Sequence, residues 1–510
     1  MIRRAITENG IVKGIEAADP RITAFKGIPF AAPPVGENRW RAPQPCRNWE
    51  GVLEAYRYAP ISVQDTPGIG DDVYVREWHV DPDIAMSEDC LYLNVWTGAK
   101  STTEKQPVLI WFFGGALQWG YPAEMEFDGE RLARRGVVVV TVNYRINIFG
   151  FLAHPEITRE QPEAPANFGH LDQQAGLKWV IRNIEAFGGD PKNITIAGQS
   201  AGGGSVLSQM TCPSNLGLFQ RAVVQSGMIR SPYKERFIGF PRPLQEAERL
   251  GEEFFGFVGA RNLQEARQMD ALHLRDMYAK FRENHEWMGT SIDGKFCVGD
   301  PLKLYMEHKH VMVPVMAGNT SEEFMNVIRA EHEAELEQKA RDIFGTHAEE
   351  FLQFEEAWKR DQNNHYAAVS GIECIIKGVF LRNQQSDHPQ KNFYYRFDAD
   401  IPGWDNAGNF HSVDLWFFFE TLAKSWRPFT GKHYDLARLM CNYWANFIKN
   451  GDPNGKDADG SEMPNWLPYT KETPYDMIFS TEGVGQEKQE EKPFKQFLIE
   501  RMTDELLKEH

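Results

Sequence analysis

Hydrophobic positions along this chain follow two patterns. Largely apolar runs without alternation fill residues 108–113, 137–142, 194–197, 222–225, 313–317 and 393–397. They are too short for buried helices, and unalternated apolar strands are what a sheet covered on both faces requires. Elsewhere apolar residues recur at steps of three and four, as in Val180, Ile184 and Phe187, or Leu244, Ala247, Leu250, Phe254 and Val258, or Ala437, Met440, Trp444 and Phe447. This spacing predicts amphipathic helices, the first closed by Gly188-Gly189-Asp190-Pro191 and the last by Asn450-Gly451-Asp452-Pro453. Strands alternating with helices give the α/β class, a mostly parallel sheet flanked by helices. Residues 241–310 and 322–391 are charged and helix-rich, and read as helical excursions over one end of the sheet. The charged run 486–495 reads as solvated surface before a terminal amphipathic helix.

Composition narrows the function classes. Of 510 residues 42% are hydrophobic, which excludes a disordered or collagen-like chain. A net charge of −17 disfavours a nucleic-acid partner, which would need a basic footprint. No apolar run approaches the ~20 residues of a membrane span. After Met1-Ile2-Arg3-Arg4 no apolar segment of ~7–15 residues follows, so no secretion signal is expected. The six cysteines are scattered singly, which predicts free thiols and a cytoplasmic protein.

Candidate chemistry starts at Gly198-Gln199-Ser200-Ala201-Gly202, a G-x-S-x-G turn between the predicted strand 194–197 and a small-residue helix start. That context predicts Ser200 as a nucleophile at the carboxyl edge of the sheet. A serine needs a base oriented by an acid. Past the 313–317 strand stands Gly318-Asn319-Thr320-Ser321-Glu322-Glu323, where two adjacent glutamates leave the acid open by pattern alone. Of seven later histidines, His411 lies in a loop that enters the aromatic run Leu415-Trp416-Phe417-Phe418-Phe419, and the other six sit in polar surroundings.

With these residues in place, the chain resembles the type-B carboxylesterases, the cholinesterase-like branch of the α/β-hydrolases. The resemblance runs nearly end to end. It rests on Phe25-Lys26-Gly27-Ile28-Pro29-Phe30-Ala31, on Ser87-Glu88-Asp89-Cys90-Leu91-Tyr92-Leu93-Asn94-Val95-Trp96, on Asn143-Tyr144-Arg145, on the block from Asn167 to Ser200, and on Gly451-Asp452-Pro453-Asn454. The resemblance implies an α/β-hydrolase fold, with Ser200 as nucleophile, Glu322 as acid and His411 as base. It also implies an oxyanion hole from the amides of Gly115, Ala116 and Ala201. Ser200, Glu322 and His411 must converge from distant stretches, so one domain over 1–510 replaces the roughly three that length alone suggests. Gln199 replaces the glutamate usual in the family, which lowers the expectation of a choline ester and leaves the acidity of the chain as a matter of solubility. Ser62 stands where the resemblance places a disulfide partner for Cys90, in keeping with a reducing compartment.

The expected activity is hydrolysis of small or aromatic carboxylic esters through an acyl-enzyme, with no metal or organic cofactor. The alternatives are an inactive cholinesterase-like binding protein, or an amidase or transacylase using the same residues. Trp119, Trp416, Phe417 and Phe418 are candidates for lining the substrate pocket.

Overall fold

The protein is described by a computed structural model that covers residues 1–235, 241–488 and 491–508. Eleven strands form its main sheet. In chain order they are β1 (Ile15–Glu16), β2 (Thr23–Pro29), β3 (Tyr92–Thr97), β4 (Gln106–Phe112), β5 (Val138–Val142), β6 (Gly189–Gln199), β7 (Arg221–Gln225), β8 (Val315–Thr320), β9 (Asn392–Phe397), β10 (Tyr475–Ser480) and β11 (Gly483–Lys488). The spatial order is β11-β10-β9-β8-β7-β6-β4-β5-β3-β2-β1. Every pairing from β5 through β10 is parallel, and the strands at both edges pair antiparallel.

The apolar runs are explained by a core on each face. In the 108–113 run Val108, Ile110 and Phe112 join one core, and Leu109, Trp111 and Phe113 join the other. Helices α1 (Phe168–Asn183), α2 (Ala201–Thr211) and α6 (Gly371–Asn383) contribute to the first core. Helices α3 (Leu244–Val258), α4 (Ala271–Phe281) and α7 (Gly431–Asn450) contribute to the second. Between α4 and α6 lies α5 (Glu333–Phe344), on the first core through Leu336 and Ala340.

Three sequence expectations shift. The 313–317 run starts its strand only at Val315, because Pro314 has no N–H to give a ladder; its carbonyl accepts from the Ala222 N–H instead. The region 322–391 is not purely helical, since Met325–Ile328 pairs antiparallel with Tyr366–Ser370. The charged run 486–495 contributes its first residues to β11, an edge strand whose exposed Glu487 and Lys488 discourage pairing with another chain. Residues 489 and 490 of that run lie outside the described residues. A helix, Pro493–Leu507, closes the chain as expected.

What the topology does for chemistry is to bring five strand ends together. Phe112 is paired with Gly198, Gln199 with Gln225, Gln225 with Gly318, and Thr320 with Phe397. The segments that leave β4, β6, β7, β8 and β9 therefore emerge side by side at the carboxyl edge, where open α/β sheets place their ligands.

Candidate active site

Ser200 sits between β6 and α2 with φ 55° and ψ −125°. For a non-glycine residue that conformation is strained, and it is held from outside. The Ser200 N–H donates to the Gln225 carbonyl at 2.8 Å, and the Ser200 carbonyl accepts from Gly204 at 2.9 Å. The neighbouring glycines are required by close approach. A Cβ on Gly202 would lie 2.1 Å from the Phe112 oxygen, and one on Gly198 would lie 2.4 Å from Gly202. The serine side chain is thereby lifted over the start of α2, at the edge of a cavity of about 560 Å³.

Gly115 and Ala116 border the same cavity, as does Ala201. Both adopt positive φ, 101° and 55°. A Cβ on Gly115 would stand 2.2 Å from the Trp119 oxygen, so only glycine fits there. The Gly115 carbonyl is consumed by the Gln118 and Trp119 amides, each at 2.9 Å. Among the described residues nothing accepts from the Gly115, Ala116 or Ala201 amide, and Ala201 opens α2, where a first-turn N–H has no partner within the helix. These are free donors bordering the cavity that Ser200 faces.

His411 is held from both sides of its ring. Its Nδ1 meets Oε2 of Glu323 at 2.5 Å, and its Nε2 faces Nε2 of Gln199 at 3.2 Å. The imidazole lies on the Phe324 ring, with centroids 4.5 Å apart. The acid that reaches the histidine is thus Glu323, which corrects the expectation of Glu322. Extended backbone sends successive side chains to opposite sides. Glu323 points into the protein, and Glu322 points out beside Gly408, where a Cβ would meet its Oε2 at 2.0 Å. Glu322 contributes instead through its backbone, which bridges to Phe410 and sets the loop that delivers His411.

Two counts in the sequence disagree about this acid. From Asn319, the spacing Asn-x-x-Glu ends on Glu322; from Gly318, Gly-x-x-x-x-Glu ends on Glu323. Gly318 is the structurally fixed anchor, because a Cβ there would come 2.2 Å from the Tyr395 ring. Asn319 accepts from the Tyr394 hydroxyl and donates to the Thr320 carbonyl, contacts that do not fix the position of the acid.

Sequence reasoning also missed Ser226. Its hydroxyl donates to Oε1 of Glu323 at 2.5 Å, and the Thr320 N–H donates to the same oxygen at 3.1 Å. Burial alone would push the Glu323 carboxyl up. The His411 ring, the Ser226 hydroxyl and the Thr320 amide outweigh burial and hold it below its ordinary 4.5. The sign of the linkage follows. A depressed acid stabilises the fold above its ordinary pKa, and that contribution is lost as pH falls through the folded value. Thermal midpoints of wild type and Glu323→Gln should therefore differ most above pH 4.5 and converge below it. A gap that stays constant across the acid range would contradict the assignment of a buried carboxylate.

The four aromatic candidates separate. Trp119 borders the cavity, and its Nε1 donates to Asp65 at 2.7 Å. Trp416, Phe417 and Phe418 do not line it; they are fully buried in the second core, with Trp416 Nε1 donating to Glu77 at 2.9 Å. A turn of helix right after the histidine loop sends its rings under the sheet, where the parallel strands need covering. Trp78, Tyr74 and Phe324 take part in the lining instead.

Among the described residues one group has metal-ligand spacing, Glu373, Asp476 and Glu491. It already holds a cation: the Lys377 ammonium lies 2.9 Å from Glu373 and 3.1 Å from Asp476, and it also pairs with Glu491.

A strained serine, a buried Glu–His pair and unused amides around one cavity form the setting in which comparison with known proteins becomes decisive. The carboxylesterase family model matches residues 3–497. The chain belongs to the carboxylesterase family. Members similar to it include the para-nitrobenzyl esterase of Bacillus subtilis, 32% identical over 93% of this chain and 94% of that protein. The fumonisin B1 esterase of Sphingopyxis macrogoltabida is 34% identical over 88% of this chain and 82% of that one. A solved carboxylesterase of Geobacillus stearothermophilus superposes with a TM-score of 0.76 at 28% identity, covering 97% of this chain and 99% of the other. The fold is the α/β-hydrolase fold, and the activity that goes with the family is hydrolysis of carboxylic esters.

Proposed function

We propose that Ser200, His411 and Glu323 carry the ester hydrolysis of this chain through an acyl-enzyme. Ser200 Oγ attacks the ester carbonyl while His411 Nε2, exchanging the Gln199 amide for the hydroxyl, takes its proton. The amides of Gly115, Ala116 and Ala201 receive the oxyanion; one such donor is typically worth about 10²–10³ in rate. His411 then protonates the departing alcohol, and water repeats the sequence on the acylated serine. Glu323 fixes the imidazole with Nδ1–H toward itself and stabilises the cation that forms. Ser226 is a positioning residue that acts through Glu323. The observation that carries this reading is the 2.5 Å contact between Glu323 and an imidazole whose other nitrogen faces the residue before Ser200.

Trp119, Trp78, Tyr74 and Phe324 give the cavity aromatic walls, which suits short aliphatic or aromatic esters. A relative named for a nitrobenzyl ester is in keeping with that choice. The reading is tested with a p-nitrophenyl ester and the matching p-nitroanilide. Turnover of the ester with the anilide far slower supports an esterase. Anilide turnover at a comparable rate would favour an amidase, and turnover of neither would refute the proposal. Among the described residues no helix is long and apolar enough to cross a membrane. A reducing, cytoplasmic setting is supported by Ser62, which meets the Cys90 thiol through a side-chain hydrogen bond where a disulfide partner was expected.

A further inference from the structure

Among the acids on the cavity wall that ester hydrolysis leaves unused are Glu124 and Glu126. Glu124 is served: its Oε1 accepts from the Tyr121 N–H at 2.7 Å and lies 3.4 Å from Nε2 of His79. Glu126 is fully buried, and among the described residues neither of its carboxyl oxygens has a hydrogen-bond donor. Its backbone is fixed, since the Glu126 carbonyl accepts from the Thr421 hydroxyl at 3.1 Å. The carboxyl group is the part left over. A buried acceptor without a donor is disfavoured, and in a cavity that admits ligand it marks a place for one.

The other acids that border the cavity are engaged. Asp300 pairs with Arg230, and Asp65 with Arg282 and the Trp119 indole. Asp72 caps the short helix Val73–Glu77 by accepting from the Tyr74 and Val75 amides. Glu77, which also faces Glu126 electrostatically, is buried against Arg427 and the Trp416 indole. Gln199 is neutral. The anionic end of the substrate cavity is therefore at Glu126 and Glu124.

We propose that Glu126 receives an ammonium group that carries N–H, so that the preferred esters bear a primary or secondary amine. This rests on the ester-hydrolase reading and names the substrate class of the same cavity. Burial, with Glu124 and Glu77 nearby, pushes the Glu126 carboxyl well above its ordinary value, and a cation placed against it is the ligand that offsets both causes. An entering ammonium supplies N–H donors and the charge that the carboxyl oxygens lack. A quaternary ammonium has no N–H and cannot do this, nor can a neutral alcohol supply the charge.

The probe is benzylammonium, compared with benzyl alcohol and benzyltrimethylammonium. Calorimetric binding to the wild-type protein should favour benzylammonium over both by about tenfold or more, as expected for a charge-assisted buried hydrogen bond. In Glu126→Gln the preference should disappear while the thermal melt remains cooperative. Equal affinity for the three probes, or an unchanged preference in Glu126→Gln, would each overturn the proposal. If the Gln variant does not fold, the wild-type order of affinities decides alone. Because binding is read without turnover, failure of the ester-hydrolase reading would appear separately, as absence of p-nitrophenyl ester cleavage.

Discussion

Replacing Glu323 by glutamine should lower kcat/KM for a p-nitrophenyl ester by about 10⁴-fold, while Glu322→Gln should stay within about threefold of wild type. The size follows from what the carboxylate does. Glu323 Oε2 accepts from His411 Nδ1, which leaves the Nε2 lone pair free to take the serine proton. A glutamine nitrogen at that place would donate to Nδ1, trap the opposite tautomer and give no stabilisation to the imidazolium. Glu322 has no such role, since its side chain is exposed and its hold on the histidine loop is through backbone. Loss of activity in Glu322→Gln with a fully active Glu323→Gln would reverse the assignment.

Ser200→Ala is expected to lose more, about 10⁶-fold in kcat, with a residual rate over water from the amides of Gly115, Ala116 and Ala201. The thermal midpoint should move little. The strained turn is held by the Gln225 carbonyl, the Gly204 amide and the packing of Gly198 and Gly202, and none of these uses the serine hydroxyl. A steady-state assay with a thermal melt on the same sample separates loss of the nucleophile from loss of the fold. Substantial turnover in a folded Ser200→Ala protein would remove Ser200 from the mechanism.

The sheet could be read from the sequence because each central strand is buried on both sides, which forces an unbroken apolar run. Short edge pieces such as Ile15–Glu16 and Gly483–Lys488 carry no such signature, since one of their edges or faces meets water. Ser200 was legible because its surroundings are local: strand, strained turn and small-residue helix start lie within a dozen residues. The acid was harder, because β8 is buried at every position and offers no alternation to extend into Glu322 and Glu323. A one-residue difference then decides which carboxylate enters the protein. Trp416, Phe417 and Phe418 were ambiguous for a related reason. An aromatic cluster beside a catalytic loop can face the ligand or the core, and here the second core, with Trp111, Phe127 and Trp444, takes them. The acidity of the chain reads as solubility alone, since composition does not reveal that two glutamates, Glu124 and Glu126, are buried on the cavity wall.

The central claim is that Ser200 is acylated during turnover. Rapid acid quenching of the enzyme in the steady state with a short-chain p-nitrophenyl ester, followed by peptide mass spectrometry, tests it most directly. One acyl group per molecule at most is expected, located on Ser200, and accumulating further in variants slowed in deacylation. An acyl group on another residue, or continued ester turnover with Ser200 blocked by a phosphonate, would contradict it.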